Sequence, residues 1–242
     1  MPINVDTVYQ KVLTIANKEQ RGYITPQEFN LFANQAQISI FDQHFYDINQ
    51  FSRLHGNDTE YSDMLGLLNE KIAAFKRIGD CVYNSTGGFF TLPLYQGRPP
   101  YKLGTVIFRG QKEVEEVNEN ELLYMNLSPL TKPTRDRPVY TQRHAGPVTG
   151  AHHSIFISPT NITTNVAASY ISFPADVHWG YVVVNDQALY NAGESIDFEL
   201  HPSDEEDLVL KILKYAGVSI KDLGLLQAAA GEELQIIQQE KQ

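Results

Sequence analysis

Residues 17–28 have the spacing closest to that of a metal-binding loop. Gly22 stands at the sixth position of this twelve-residue window and Glu28 at the twelfth, as in the calcium loop of a helix-loop-helix site. Arg21, however, occupies the fifth position, where an oxygen ligand is required, and Lys18 adds a second positive charge. Because two cations in the loop would repel Ca²⁺, we predict no calcium site here.

A histidine cluster in the second half of the chain could supply zinc ligands. A structural or catalytic zinc ion needs three or four ligands at defined spacing, usually with a Cys or a carboxylate among them. Two of the histidines are adjacent in sequence and would point to opposite faces of a strand, so we interpret them as a solvated loop pair and predict no metal site. Five of the seven histidines belong to this cluster: His144, His152, His153, His178 and His201.

Other chemical motifs have simple structural interpretations. The acidic run from Asp204 to Glu206 stands at a predicted helix start, where negative charge complements the helix dipole. Cys81 has no sequence partner that would mark it as a nucleophile, so we predict that it packs in the interior as a small apolar side chain. Nucleophile-elbow, phosphate-loop and zinc-protease motifs are absent from the sequence. The sequence therefore predicts a protein that is not an enzyme and needs no cofactor.

Trp179 and Tyr181 alternate in a strand-like run and should share one face. Such a pair could form an aromatic platform for a sugar, but a core or subunit contact is the more common use of two large rings. We therefore favour the core or subunit contact.

The first 80 residues have helical periodicity. Apolar residues recur every three or four positions in residues 5–16, which predicts a first helix. Thr25 and Glu28 flank a proline in a capping-box pattern, so a second helix should occupy residues 26–51, and a third should begin near residue 59. Four polar residues of the second helix are expected to face water: Asn30, Asn34, Gln37 and Asp42.

The middle of the chain has short β-rich runs separated by Gly, Pro and Asn. Nine of the 12 prolines lie between residues 93 and 174, which favours strands joined by ordered loops. Helical periodicity returns after a second capping box that begins at Ser203. The predicted class is α+β, an N-terminal helical bundle completed by a C-terminal helix, with an inserted Pro-rich β region and a helix-prone C-terminal tail. The predicted parts are a helical body (1–80), a β-rich region (81–202), a helix that packs back on the body (203–217) and a partner-docking tail (218–242).

The charge balance excludes one class of partner. The chain has 29 acidic and 19 basic side chains and a formal net charge of −10. Proteins that hold nucleic acid by phosphate neutralisation need a local excess of Lys and Arg, which no segment supplies. No apolar run approaches the roughly 18 residues of a membrane span, and residues 1–4 do not begin a signal peptide. A single cysteine cannot form an intramolecular disulfide, so we expect the chain to stay in a cytoplasm. Because it has no apolar span, we expect no membrane partner.

A series of short motifs runs in a fixed order through most of the chain. In this order they resemble the motifs of tailed-bacteriophage head-to-tail adaptor (connector) proteins, in the broad group that includes tail tubular protein A and the crAss-like ring proteins. The motifs are residues 7–12, 22–30, Phe108-Arg109-Gly110, 114–117, 138–140, 155–159, 168–174 followed by Trp179, 197–202 and 208–213.

The resemblance implies a virion structural protein that is assembled in the host cytoplasm. It implies a ring, dodecameric in form, that sits under the portal protein, joins it to a tail or nozzle protein and lines the DNA exit channel. Double-stranded DNA would pass through this channel without sequence-specific binding. A charge of −10 on each chain, repeated around a ring, is compatible with such a channel if carboxylates face the lumen.

The last 25 residues, 218–242, are rich in Gln and Ala and contain too few apolar groups to anchor firmly on their own core. We expect this tail to order as a helix only against a partner, the portal protein or an adjacent subunit. Six apolar side chains are the predicted portal-docking residues: Ile220, Leu223, Leu226, Leu234, Ile236 and Ile237.

Two other function classes remain open from the residues alone. The first is a monomeric binding module that recognises a carbohydrate or peptide through Trp179, Tyr181 and His178. The second is a hydrolase whose site includes His144, His152 and unidentified carboxylates. Only the adaptor requires a closed oligomer, so the mass of the protein alone and with portal protein would separate these classes.

Overall fold

A computed structural model describes residues 2–18, 24–53, 59–143, 154–185 and 187–219. These residues form two compact units. The helical unit consists of the described residues of Met1–Ala74 and Pro174–Gln242, and the β unit consists of those of Phe75–Phe173. The β unit is therefore inserted into the sequence of the helical unit.

Five helices and ten strands occur in the described residues. The helices are α1 (Val5–Lys18), α2 (Pro26–Arg53), α3 (Thr59–Ala73), α4 (Glu119–Leu127) and α5 (Glu205–Ser219), with a 3₁₀ turn at Pro202–Asp204 before α5. The strands are β1 (Lys76–Asp80), β2 (Val82–Asn84), β3 (Phe89–Thr91), β4 (Pro100–Phe108), β5 (Lys112–Glu116), β6 (Val139–Arg143), β7 (Ser154–Ser158), β8 (Val166–Ser172), β9 (Tyr181–Val184) and β10 (Gln187–Tyr190). None of these helices combines the length and the apolar character that a bilayer span requires.

The helical unit is built on contacts of α5 with α1 and α2, and of α2 with α3. Apolar residues spaced three or four apart place one stripe of each helix in the shared interior. The chain before α5 also contributes to this core through Phe198 and Leu200, and an antiparallel hairpin of β9 and β10 belongs to the same unit. Buried helical residues include Val8, Val12, Phe29, Ala33, Phe41, Leu208 and Ile212.

The β unit is one mixed sheet of eight strands in the order β1-β8-β4-β5-β6-β7-β3-β2. Only β5 and β6 pair in parallel, and the other neighbours are antiparallel. The two outermost strands, β1 and β2, are separated in sequence by Cys81 alone, so the sheet is nearly closed.

The inner face of this sheet has its own hydrophobic core. Alternate residues of β8 are buried, as expected for a strand with one face on a core. The core side chains come from most of the strands and include Phe90, Val106, Phe108, Val114, Tyr140, Ile155, Ile157, Val166 and Ala168.

The predicted architecture, an N-terminal helical bundle with an inserted smaller β region, is wrong. The protein is α+β, but a large, nearly closed mixed sheet dominates it. The sequence pattern missed β1, β5 and β6 because they mix charged, polar and glycine residues with few apolar ones. Pairing with distant strands makes these segments extended, and local composition does not encode such pairing.

Candidate functional site

Trp179 lies in the core of the helical unit. The residue is only 2% exposed, and its ring centroid is 4.2 Å from that of Tyr9. Its Nε1 donates a hydrogen bond of 2.9 Å to Oδ1 of Asp6, and Tyr181 stacks at a centroid distance of 5.8 Å. A buried ring offers no face to a sugar, so the core interpretation is the one that the structure shows.

Of the clustered histidines, two lie in described residues, and neither is grouped with other metal-ligating side chains. His178 is exposed, and its Nδ1 lies 3.2 Å from Nδ2 of Asn30. Nδ1 of His201 accepts the backbone N–H of Ser203 and caps the 3₁₀ turn, so His201 takes the capping role predicted for Ser203. In the described ranges, no three His, Cys, Asp or Glu side chains are grouped to hold a metal ion. The remaining three lie outside the described residues: His144, His152 and His153.

Glu28 is a helix-capping residue. The N–H of Thr25 donates to Oε2 of Glu28 at 3.0 Å, and the N–H of Glu28 donates to Oγ1 of Thr25 at 3.3 Å. The bond from the Thr25 N–H, and a second one from the Thr25 hydroxyl to the same Oε2 at 2.8 Å, lower the pKa of the Glu28 carboxyl. The predicted capping box is therefore present, whereas Arg21 and Gly22 of the calcium-like window lie outside the described residues.

Two potentially reactive groups of the β unit are held in their neutral forms. Burial, with the charge of Asp80 adding to it, raises the pKa of the Cys81 thiol to about 12. Burial and Glu116 raise the pKa of Tyr140 to about 12, and the Tyr140 hydroxyl donates to Oε2 of Glu116 at 3.3 Å. A thiol that stays protonated is a poor nucleophile, in agreement with a packing role for Cys81.

Side-chain amides of α2 bind the backbone of the extended segment 175–179. Oδ1 of Asn34 accepts the N–H of Val177 at 2.7 Å, and Nδ2 of Asn34 donates to the carbonyl of Val177 at 2.9 Å. Asn30 repeats this two-way pairing with Trp179, at 2.7 and 3.3 Å. Each amide thus replaces the neighbouring strand that an extended backbone would otherwise need.

Gln37 completes the row, which we call the amide ladder (Asn30, Asn34 and Gln37). Its Nε2 donates to the carbonyl of Ala175 at 2.7 Å, and its Oε1 accepts the N–H of Glu199 at 3.2 Å. Gln37 is 1% exposed, so the prediction that it faces water is wrong, whereas Asn30 and Asn34 are half-buried and Asp42 is exposed as predicted. The i, i+4, i+7 spacing of the three amides, which follows the edge of the apolar stripe of α2, is the sequence signal that could have indicated a buried row.

A second buried polar group, the charge cluster, consists of His44, Lys71 and Asp204. The Asp204 carboxylate is 1% exposed, with Nε2 of His44 at 3.0 Å from Oδ2 and Nζ of Lys71 at 2.8 Å from Oδ1. Burial alone would raise the pKa of Asp204, but the hydrogen bonds from His44 and Lys71 outweigh it and hold the pKa below its ordinary value. The cluster joins α2, α3 and the turn before α5, three elements far apart in sequence.

Asp207 lies on the first turn of α5, next to this cluster. Burial raises the pKa of its carboxyl, and the negative charge of Asp204 raises it further. The sequence predicted that the acids at this helix start complement the helix dipole. Asp204 does stand in the turn that begins this helix, but its carboxylate is also buried in an ion pair with Lys71, which the sequence did not predict.

Two exposed apolar surfaces stand out against these buried polar groups. The first, the arm patch, lies on α4 and the turn after it, and α4 has no buried residue. Its side chains are Leu123, Tyr124, Leu127 and Leu130, which are 65%, 73%, 80% and 92% exposed.

The second surface, the hairpin patch, lies on β9 and β10 in the helical unit. Its side chains are Val182, Val183, Val184 and Leu189, each 46% to 61% exposed. Tyr181 and Tyr190 pair across the base of this hairpin and contact Trp179, each at 5.8 Å between centroids. The base is therefore tied to the core, while the four side chains of the patch are left in solvent.

The predicted portal-docking residues lie outside the described residues: Ile220, Leu223, Leu226, Leu234, Ile236 and Ile237. Comparisons of the sequence with known proteins give no assignment, since no known family matches it and no curated protein is significantly similar to it.

Proposed function

We propose that the protein is a head-to-tail adaptor of a tailed bacteriophage, a virion structural protein that works through contacts with other copies of itself and with neighbouring proteins. It forms a dodecameric ring between the portal protein and a tail or nozzle protein, and double-stranded DNA passes through the ring without sequence-specific binding. The order of sequence motifs supports the adaptor class. The two exposed apolar patches support assembly as the mode of action.

The arm patch is the single observation that carries this proposal. A soluble monomer rarely leaves four large apolar side chains together in water, and contiguous patches of this kind mark protein interfaces. Leu130 is 92% exposed and Leu127 is 80% exposed. These exposed fractions fit a surface that is covered in an assembly.

The alternative of a monomeric carbohydrate- or peptide-binding module is less well supported. Its central residue, Trp179, is buried against Tyr9 and hydrogen-bonded to Asp6. Tyr181 stacks on that buried ring, which leaves His178 as the exposed member of the three residues.

The proposal is tested by mixing the purified chain with capsids that carry its cognate portal protein. We expect electron microscopy to show a ring of added density under the portal, and native mass measurement of the released material to give a closed oligomer. A chain that stays monomeric, leaves these capsids bare and binds a glycan array would instead identify the monomeric module.

A further inference from the structure

We propose that two adjacent turns of the β unit bind phosphate groups of the backbone of double-stranded DNA. We call them the basic turns (residues 108–112 and 134–137), and they lie between β4 and β5 and just before β6. The proposed function passes DNA through a ring but assigns no residue to it, so this inference goes beyond that function. It rests on the charge, the exposure and the backbone geometry of the β unit alone.

The charges of the chain are divided unevenly between its two units. The β unit, Phe75–Phe173, has ten basic and seven acidic side chains, a net charge of +3. The other residues of the chain have nine basic and 22 acidic side chains, a net charge of −13. The expectation that no segment has an excess of Lys and Arg is therefore wrong for the β unit. Phosphate groups would be repelled by the acidic unit and attracted to the basic one.

Each basic turn is closed by backbone hydrogen bonds. The N–H of Gln111 donates to the carbonyl of Phe108 at 3.3 Å, which places Arg109 at the tip of the first turn. Thr134 and Arg137 exchange hydrogen bonds of 3.2 and 3.1 Å, so that residues 135 and 136 form the tip of the second turn. Side chains on such closed turns are oriented before a ligand arrives, which lowers the entropy that binding costs.

An ion pair ties the two turns to each other. Nζ of Lys112 donates a hydrogen bond to Oδ1 of Asp136. This hydrogen bond and the charge of Lys112, with a smaller contribution from Arg109, lower the pKa of the Asp136 carboxyl. The cations of the first turn are thus close enough to act on a carboxyl of the second. Asp136 is the only acid in the two turns, and Lys112 already pairs with it.

The three arginines of the basic turns are exposed, and the described part of the chain gives them no counter-ion. None of the ion pairs there includes Arg109, Arg135 or Arg137. Planar guanidinium groups of this kind bind phosphate oxygens through two parallel hydrogen bonds. The local net charge is +2 when it includes the three further charged residues of the groove beside the second turn: Glu113, Glu115 and Lys132.

The backbone at Arg109 is an independent observation that points to its side chain. Its φ is +55°, in the left-handed region, and Gly110 after it has a φ of +70°. A two-residue turn with both φ angles positive favours Asn, Asp or Gly at its first position, and other side chains are disfavoured there. An arginine therefore stands where it lowers the stability of the turn. Retention of an unfavourable residue at an exposed tip indicates a role outside the fold.

The composition of the basic turns favours a phosphate backbone over a protein surface. Residues 109–112 and 134–137 are Arg, Gly, Gln, Lys, Thr, Arg, Asp and Arg, without a hydrophobic residue. The centre of a protein–protein interface is apolar, whereas contacts to the DNA backbone are made by Arg, Lys, Thr and Gln side chains. Such contacts carry no sequence information, in agreement with DNA that passes without sequence-specific binding.

Fluorescence anisotropy with labelled DNA duplexes of about 20 base pairs tests this inference. The full-length chain is titrated at about 50 and 200 mM NaCl, with two duplexes of unrelated sequence. We expect equal binding of both duplexes. The logarithm of the binding constant should fall with the logarithm of the salt concentration with a slope of about −3, one unit for each exposed arginine.

A double variant and a matched control locate the contact. Arg109→Gly with Arg135→Gln should reduce the slope by about two units and weaken binding more than about tenfold at low salt. Glycine suits the left-handed backbone at residue 109, so the variant should stay folded, which circular dichroism checks. The control, Lys11→Gln with Lys214→Gln, removes the same charge from the helical unit and should change the affinity by less than about threefold.

The inference is overturned if the unmodified chain does not bind either duplex at about 100 µM, the weak limit of non-specific binding. Equal losses in the double variant and the control, or no loss in the double variant, overturn it as well. Displacement of the duplex by inorganic phosphate at constant ionic strength would identify a site for free phosphate instead. Polyglutamate that displaces the duplex better than unlabelled DNA does would identify an acidic protein surface.

Binding of the unmodified chain to portal-bearing capsids is scored separately. Capsid binding without DNA binding leaves the proposed function standing and removes the inference. DNA binding without capsid binding removes the proposed function and keeps the inference.

Discussion

The charge cluster buries polar side chains, whereas the arm patch exposes apolar ones. In the charge cluster, the Asp204 carboxylate is 1% exposed and both of its oxygens have partners within 3.0 Å. In the arm patch, Leu127 and Leu130 are 80% and 92% exposed, on a helix that buries nothing. Polar groups are therefore buried and paired in one region, while apolar groups are exposed in the other.

The buried polar groups should determine the stability of the fold, whereas the exposed apolar side chains should affect only the assembly that we propose. A buried carboxylate is tolerable only while its partners remain, so the charge cluster and the amide ladder should control the free energy of unfolding. An exposed leucine contributes little to that free energy, because it is equally hydrated in the folded and unfolded chain. Substitutions in the two regions should therefore change different measured quantities.

Loss of the Asp204 charge is expected to have the largest effect. The substitution Asp204→Asn leaves the Lys71 ammonium, whose side chain is 22% exposed, without its counter-ion, and it leaves one oxygen where His44 and Lys71 now contact two. Breaking a buried pair from one side typically costs about 3 kcal/mol or more. Urea unfolding at pH 7 should show this loss, and the exposed Asp176→Asn should stay within about 0.5 kcal/mol of the unmodified protein. Equal effects of the two substitutions would show that the charge cluster does not stabilise the fold.

Removal of one rung of the amide ladder should have the second largest effect. Asn34→Ala leaves both the N–H and the carbonyl of Val177 without their side-chain partner. An unsatisfied buried backbone group costs about 1 to 3 kcal/mol, so we expect a loss of about 2 kcal/mol in the free energy of unfolding. Gln35→Ala, at an exposed position on the same helix, is the matched control for helix propensity. A loss no greater than that of the control would mean that water replaces the amide without cost.

The sequence predicted those parts of the fold that local signals determine. Helix α2 begins at Pro26 as predicted, because Thr25 and Glu28 cap it without help from distant residues. The amide ladder was missed because its partners, residues 175–179, are about 140 positions away. The nearly closed sheet was missed for the same reason, since β1 is extended through its pairing with β8. Exposure also depends on which surfaces remain uncovered, so the arm patch could be recognised only in the structure.

A smaller effect, with an opposite sign, is expected at Asp207. Its pKa in the folded protein is raised above the ordinary value of 3.8, so its charged form lowers the stability at pH 7. Asp207→Asn should therefore raise the free energy of unfolding at pH 7 by a fraction of a kcal/mol. This gain should shrink as the pH falls through the raised pKa and vanish below 3.8.

The same titration gives the opposite behaviour for Asp204, whose folded pKa lies below 3.8. Its stabilising contribution is complete above 3.8 and is lost as the pH falls through the folded value. The difference between the unmodified protein and Asp204→Asn should therefore persist down to about pH 4 and then close.

For the Asp207 prediction, a gain in stability of Asp207→Asn that did not change with pH would point to packing and not to charge.

The smallest effect on stability is expected in the arm patch, where the effect on assembly should be the largest. The double substitution Leu127→Glu and Leu130→Glu changes two side chains that have no burial to lose, and Leu and Glu have similar helix propensities. The urea midpoint should therefore stay close to that of the unmodified protein, within about 0.5 kcal/mol in the free energy of unfolding. If the arm patch is covered in an assembly as we propose, two carboxylates on it should abolish binding to portal-bearing capsids and leave the chain monomeric in sedimentation. Leu31→Glu, at a 68% exposed leucine of the helical unit, controls for added surface charge and should leave assembly intact. If the double substitution instead lowered the midpoint as Asp204→Asn does, the arm patch would belong to the folding core of the β unit, and the division between a stabilising interior and an assembling surface would not hold.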